Sequence, residues 1–240
     1  MQGFIRLPFE QSSLKKKDLA MLVDEITTTA YWVDPLGRIR SNDGGWQSQC
    51  KNDNEYHGIK QYQTVIMQYV RSWLTEKGFY MKNYALTCTG WFNMNLKDQG
   101  NLPHIHCQNH YADGLNRMDV NRPGAYTNDF YNKEDDVMQS IFSGTFYIKV
   151  PDSEKKSLYF MNPYPLYKFF NEDFREYVEV EIGDTILFAP NVYHGVVANQ
   201  TTEPRITYSF NIGIARPVNT PVDYTPGGIN DNPLNVFNNK

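Results

Sequence analysis

The sequence predicts a mainly β protein, a sandwich or barrel with two helices packed outside it. Three observations carry this expectation. Apolar residues recur with helical spacing up to about residue 80 and with a two-residue period after it. Beyond that point short apolar stretches are separated by turns rich in Gly, Pro, Asn and Asp. Tyrosine (17) and phenylalanine (14) are plentiful, as strands and half-buried pockets favour. Many short strands of this kind hide their apolar faces by packing as two sheets or closing as a barrel.

Residues 13–27 have a polar start and a lysine cluster, then Leu19, Leu22, Val23 and Ile26 at helical spacing, which predicts a short helix over about 14–27. Asn42-Asp43-Gly44-Gly45-Trp46 reads as a turn. Residues 59–77 set Ile59, Tyr62, Ile66, Tyr69, Val70, Trp73 and Leu74 on one stripe, the best helix in the chain. Strands are expected at 84–95, 141–150, 157–160, 177–182, 185–188, 195–198 and 205–214. Residues 113–136 are polar and lack a period, and a loop of that length is usually functional or mobile. The Pro/Asn/Gly-rich stretch 217–240 reads as a tail, which leaves residues 1–216 as a single domain with its strand core at about 84–214.

At 240 residues the chain can bury a sizeable core. A net charge of −4 without a basic block gives nucleic acid nothing to bind by bulk electrostatics. No stretch approaches the roughly 18 apolar residues of a membrane span, and the three cysteines, an odd number without CxxC spacing, read as reduced thiols. A cytoplasmic location is the expectation. Nothing in the sequence sets the oligomeric state.

The chemistry gathers around histidine. His104 and His106 lie two residues apart at the end of an apolar run, so on a strand they share a face. The stretch Gly183-Asp184-Thr185-Ile186-Leu187-Phe188 leads to His194, which can bring a third imidazole from a distant strand. Three such ligands occupy one face of an octahedral metal and leave the other open. A lone histidine is more often a polar surface residue, and His57 is read that way. Arg205 opens an otherwise apolar strand whose alternation puts Arg205, Thr207 and Ser209 on one face. A guanidinium beside hydroxyls matches a carboxylate through charge-assisted bonds, and the Tyr147 phenol could join them. Arg205 is expected in an open pocket and not in the packed core.

In order along the chain, SNDGGWQS (41–48), GWFNMN (90–95), PHIH (103–106), SGTFYIKVP (143–151), SLYFMNP (157–163), EVEIGDTILFAPNVYHGV (179–196) and EPRITYSFNI (203–212) resemble the 2-oxoglutarate/iron(II) oxygenase superfamily. Within it they are most similar to the bacterial and phage branch related to prolyl hydroxylases. The resemblance implies a double-stranded β-helix, a cupin-like jelly-roll with its ligands at one open end and two flanking N-terminal helices. It implies His104 as first iron ligand, His194 as the distal one, and Arg205 with Thr207 on the far carboxylate of 2-oxoglutarate, assisted by Tyr147. Fe(II), 2-oxoglutarate and O2 are the cofactor and co-substrates so implied, and hydroxylation of a prolyl-type peptide or a small molecule the activity. The superfamily's usual first motif is His-x-Asp or His-x-Glu, whereas this chain, like the branch it resembles, has His-x-His. A third imidazole does not cancel the charge of the metal as a carboxylate does. Asp113 could supply that carboxylate, and His110 could replace His106. The stretch between the histidine pair and SGTFYIKV is longer than the motif requires and could be a substrate lid. Two further readings stand beside this one: a three-histidine, cupin-like metal enzyme without 2-oxoglutarate, and a non-catalytic jelly-roll that binds through exposed Trp and Tyr.

Overall fold

The structure, a computed structural model, describes residues 4–8, 14–31, 34–38, 40–48, 56–79, 81, 84–106, 139–161 and 175–215. Its strands are β1 (Phe4–Leu7), β2 (Asn42–Asp43), β3 (Trp46–Gln47), β4 (Ala85–Asn95), β5 (Gly100–His104), β6 (Gln139–Lys149), β7 (Leu158–Met161), β8 (Arg175–Val178), β9 (Thr185–Phe188), β10 (His194–Val196) and β11 (Arg205–Ala215). They form two antiparallel sheets, ordered β1-β9-β6-β11-β4-β3 and β2-β5-β10-β7-β8. From β4 to β11 the chain crosses repeatedly between them, β4, β6, β9 and β11 lying in the first and β5, β7, β8 and β10 in the second. This is the jelly-roll of a double-stranded β-helix, as expected.

Helix α1 (Lys16–Asp24) continues into a wider π-helical turn, Glu25–Ala30. There the Thr27 hydroxyl donates back to the Val23 carbonyl at 2.7 Å and that of Thr28 to Asp24 at 2.6 Å, offering the carbonyls of the ladder alternative donors. Helix α2 (Ile59–Glu76) buries Ile59, Tyr62, Ile66, Val70 and Leu74, the stripe its sequence shows. Both helices pack on the outer face of the six-stranded sheet, where they meet Phe92, Met94, Phe146, Ile148, Leu187, Ile206, Tyr208, Phe210 and Ile212. At about 1.5–3 kcal/mol for each large apolar side chain buried, this layer is the main stabilising mass of the fold. Tyr62 ties α2 down, stacking on Phe146 with ring centroids 4.4 Å apart and sharing a 2.8 Å hydrogen bond with Thr185.

The same alternation turns the other half of each strand inward. Tyr147, Ile186 and Phe188 meet Leu158, Phe160 and Val178 of the opposite sheet in a smaller core. Farther along that inner face the residues turn polar, and a cleft replaces the core. Several features differ from expectation. β5 is not among the expected strands, β8 lies earlier than 177–182, and His106 lies beyond the strand that carries His104. The Asn42–Trp46 turn is flanked by two-residue strands that edge the two sheets, and β1 was not legible at all. The segments 113–136 and 217–240 lie outside the described residues.

Candidate metal centre

The cleft opens at one end of the sandwich. β10 runs antiparallel to β5 with His194 directly opposite His104. His106 follows two residues after β5 ends, held by its backbone N–H on the Pro190 carbonyl at 2.8 Å. The three imidazoles therefore come together, with one ring nitrogen from each lying within 4.8 Å of the others. His194 is 4 % exposed, while His104 and His106 are half-buried at the mouth. His110 and Asp113, the alternative ligands, lie outside the described residues. His57 is no bare loop residue, since its Nε2 meets Asp18 at 3.0 Å at the foot of α2.

The rings are prepared for a cation. Nδ1 of His104 lies 2.7 Å from the Leu102 carbonyl and that of His194 2.9 Å from the Val192 carbonyl. A carbonyl oxygen can only accept, so both protons sit on Nδ1 and each Nε2 keeps its lone pair. His106 donates from Nδ1 to Asn211 Oδ1 at 2.8 Å, an oxygen that also accepts from the Ser143 hydroxyl. Nε2 of His104 and Nε2 of His106 face each other at 3.0 Å. Two bare lone pairs at that distance repel, and a shared proton would charge a ring that burial keeps neutral. Burial lowers all three imidazole pKa values, helped at His106 and His194 by the neighbouring rings, and brings that of His106 to about 3. The donor set thus fits a first-row divalent metal. Among the described residues no carboxylate joins the cluster.

Asn93, Asn95, Thr145, Tyr147, Arg205, Thr207 and Ser209 also line the cleft, so the predicted co-substrate residues share it with the histidines. Tyr147 is held by its backbone, its N–H on the Asp184 carbonyl at 2.9 Å and its carbonyl under the Gly183 N–H at 2.6 Å. Gly183 has φ 90°, a left-handed turn that glycine adopts without strain. Burial raises the Tyr147 phenol pKa, against a smaller opposing effect from Arg205, so it remains a hydrogen-bond donor. Arg205 departs from expectation, because it is 1 % exposed. Its Nη1 donates to Glu154 at 2.8 Å and its Nη2 to the Val197 carbonyl at 2.7 Å, while its buried Nε finds no partner among the described residues. Burial lowers the Arg205 pKa and Glu154 pulls it back up.

Sequence reading passed over Asn211 and Glu154. Asn211 continues the two-residue period of Arg205, Thr207 and Ser209, and following it one step further finds it. Glu154 stands in a short 3-10 turn, Asp152–Glu154, where no periodicity marks it.

A double-stranded β-helix with converging imidazoles and a buried arginine in one cleft makes a jelly-roll that could hold a metal ion. Residues 127–211 match the family described as "Putative 2OG-Fe(II) oxygenase", a stretch that contains Tyr147, His194, Arg205 and Thr207 but not His104 or His106. The chain is similar in fold to a Pseudomonas putida prolyl-4-hydroxylase, with 11% identity over 88% of this chain and 92% of that one and a TM-score of 0.53. It is similar to HygX from Streptomyces hygroscopicus, solved with nickel and 2-oxoglutarate bound (15% identity, 88% and 82% covered, TM-score 0.53). A Trichoplax adhaerens prolyl hydroxylase, solved with a hypoxia inducible factor oxygen degradation domain peptide, is another likeness (13% identity, 89% and 84% covered, TM-score 0.51). None of the curated proteins compared with the chain matches it. The resemblance to the 2-oxoglutarate/iron(II) oxygenase superfamily thus rests on the matched residues 127–211, and the solved structures share the fold.

Proposed function

We propose that the protein is an iron(II)- and 2-oxoglutarate-dependent oxygenase that hydroxylates a prolyl-type peptide or a small molecule. The observation that carries this reading is the trio of Nε2 lone pairs, fixed by oxygen acceptors on Nδ1, in the same cleft as Arg205. His104, His106 and His194 would hold the metal. Arg205 Nε, Thr207 and the Tyr147 phenol would meet the far carboxylate of 2-oxoglutarate, an unpaired buried N–H being the donor such a ligand satisfies. Bound iron supplies O2 activation coupled to decarboxylation of 2-oxoglutarate to succinate, with the second oxygen atom going to a C–H bond of the substrate. The neighbours bound to 2-oxoglutarate or to a peptide support the co-substrate and the substrate class.

One observation favours the oxoglutarate-free metal enzyme: Arg205 already has a carboxylate partner in Glu154. Iron content together with 2-oxoglutarate binding and succinate release by the purified protein separates the readings. Metal without 2-oxoglutarate leaves the second in front. His194→Ala is expected to abolish iron retention, whereas His57→Ala leaves the iron content unchanged. Equal iron in both variants sinks the ligand assignment.

A further inference from the structure

Glu154 is 5 % exposed and sits in the link between β6 and β7, so its carboxylate crosses from that link to the first residue of β11. Both oxygens are used: Oε2 accepts from Arg205 at 2.8 Å and Oε1 from the Gln200 backbone N–H at 3.0 Å. Arg205 lines the cleft and Glu154 does not, which places the carboxylate behind the guanidinium as seen from the metal ligands. Val197 O and Asn95 Oδ1, at 2.7 and 3.4 Å, take the other amino group. Both Nη atoms are therefore engaged by the protein, and among the described residues Nε is left buried and unpaired. An ion pair that served packing alone would have no reason to leave a donor over.

We propose that Glu154 is a positioning residue that fixes Arg205 from behind and cancels its charge, so that an acidic ligand meets a neutral, donor-bearing wall and not a bare cation. The inference rests on the oxygenase reading above and deepens it. A cleft built this way recognises the far end of its co-substrate largely by hydrogen bonds to Nε, Thr207 and Tyr147. It gains less from the second negative charge of 2-oxoglutarate than an uncompensated guanidinium would.

The test compares 2-oxoglutarate with 2-oxopentanoate, which has the same carbon chain but no far carboxylate. Dissociation constants are measured by calorimetry on anaerobic, iron-loaded protein, native and Glu154→Gln. The native preference for 2-oxoglutarate is expected below about 300-fold. In Glu154→Gln the one amide oxygen can still accept from Arg205, the countercharge is gone, and the Gln200 N–H loses its acceptor. The preference is then expected to rise about tenfold, through tighter 2-oxoglutarate with 2-oxopentanoate unchanged. A preference within about twofold of native overturns the inference and reduces Glu154 to a structural partner. If the variant does not fold, the native ratio decides, and a value above about 300-fold overturns the proposal. Native protein that binds iron but neither acid defeats the oxygenase reading and this inference together, whereas 2-oxoglutarate bound with an unmoved ratio defeats the inference alone.

Discussion

The side chains that fix the three rings matter as much as the rings. Asn211 gives His106 its tautomer and is itself held by Ser143, and partners of this kind typically set metal affinity by 10–100-fold. Asn211→Ala is therefore expected to weaken iron binding by about that factor with little change in fold, as competition with a chelator would show; unaltered affinity would mean that His106 needs no such support. Arg205 behaves differently. Removing one half of a buried ion pair strands the other, so Arg205→Ala is expected to cost about 3–5 kcal/mol of stability. Replacing both partners by apolar residues, Arg205→Met with Glu154→Leu, should restore much of it. Urea denaturation of the single and double variants decides, and equal losses would remove the ion pair from the account. The histidine cluster was legible, because histidine is rare here and His104, His106 and His194 lie at or just beyond the ends of apolar stretches. Glu154 was not, because the partner of a buried charge is chosen by three-dimensional proximity across 51 positions of sequence.

At the scale of elements, strict alternation does most of the positioning. On β11, Ile206, Tyr208, Phe210 and Ile212 face the helices while Arg205, Thr207, Ser209 and Asn211 face the cleft or its histidines. A slip of one residue would exchange the two sets. The register is guarded on β4 by Gly90, where a Cβ would stand 2.3 Å from the Tyr208 ring and 2.6 Å from the Ser209 carbonyl. Gly90→Ala is accordingly expected to destabilise the protein by about 1–3 kcal/mol and to loosen metal binding with it. A melting temperature equal to that of the native protein would show that β4 can yield. The long strands were readable because apolar and polar faces differ so sharply. Those of two to four residues at the sheet edges, β1, β2 and β3, are too short to show a period, and their pairing comes from neighbours far away in the chain.

For the molecule as a whole, the clustered histidines link the site to stability. Their pKa values are lowered by burial, and those of His106 and His194 also by the neighbouring rings, so the folded metal-free protein binds fewer protons than the unfolded chain as pH falls below about 6.5. The sign follows: stability is full above that pH and is lost progressively on acidification, down to about 3 for His106. Denaturation midpoints of metal-free protein across this range should fall with pH, and His106→Gln should flatten the fall; a flat native profile contradicts the buried, neutral rings. The fold's closure carries one more consequence, for how the chain reaches this state. Arg6 on β1 is bonded to Asp184 beside β9, 178 residues away, and Arg205 on β11 pairs with Asn95 on β4 across 110. Such distant partners make high contact order and slow folding. While the chain emerges during synthesis, β4 and β6 must wait with open edges until β11 arrives between them. That interval is when the apolar faces meant for the helices are most exposed to aggregation.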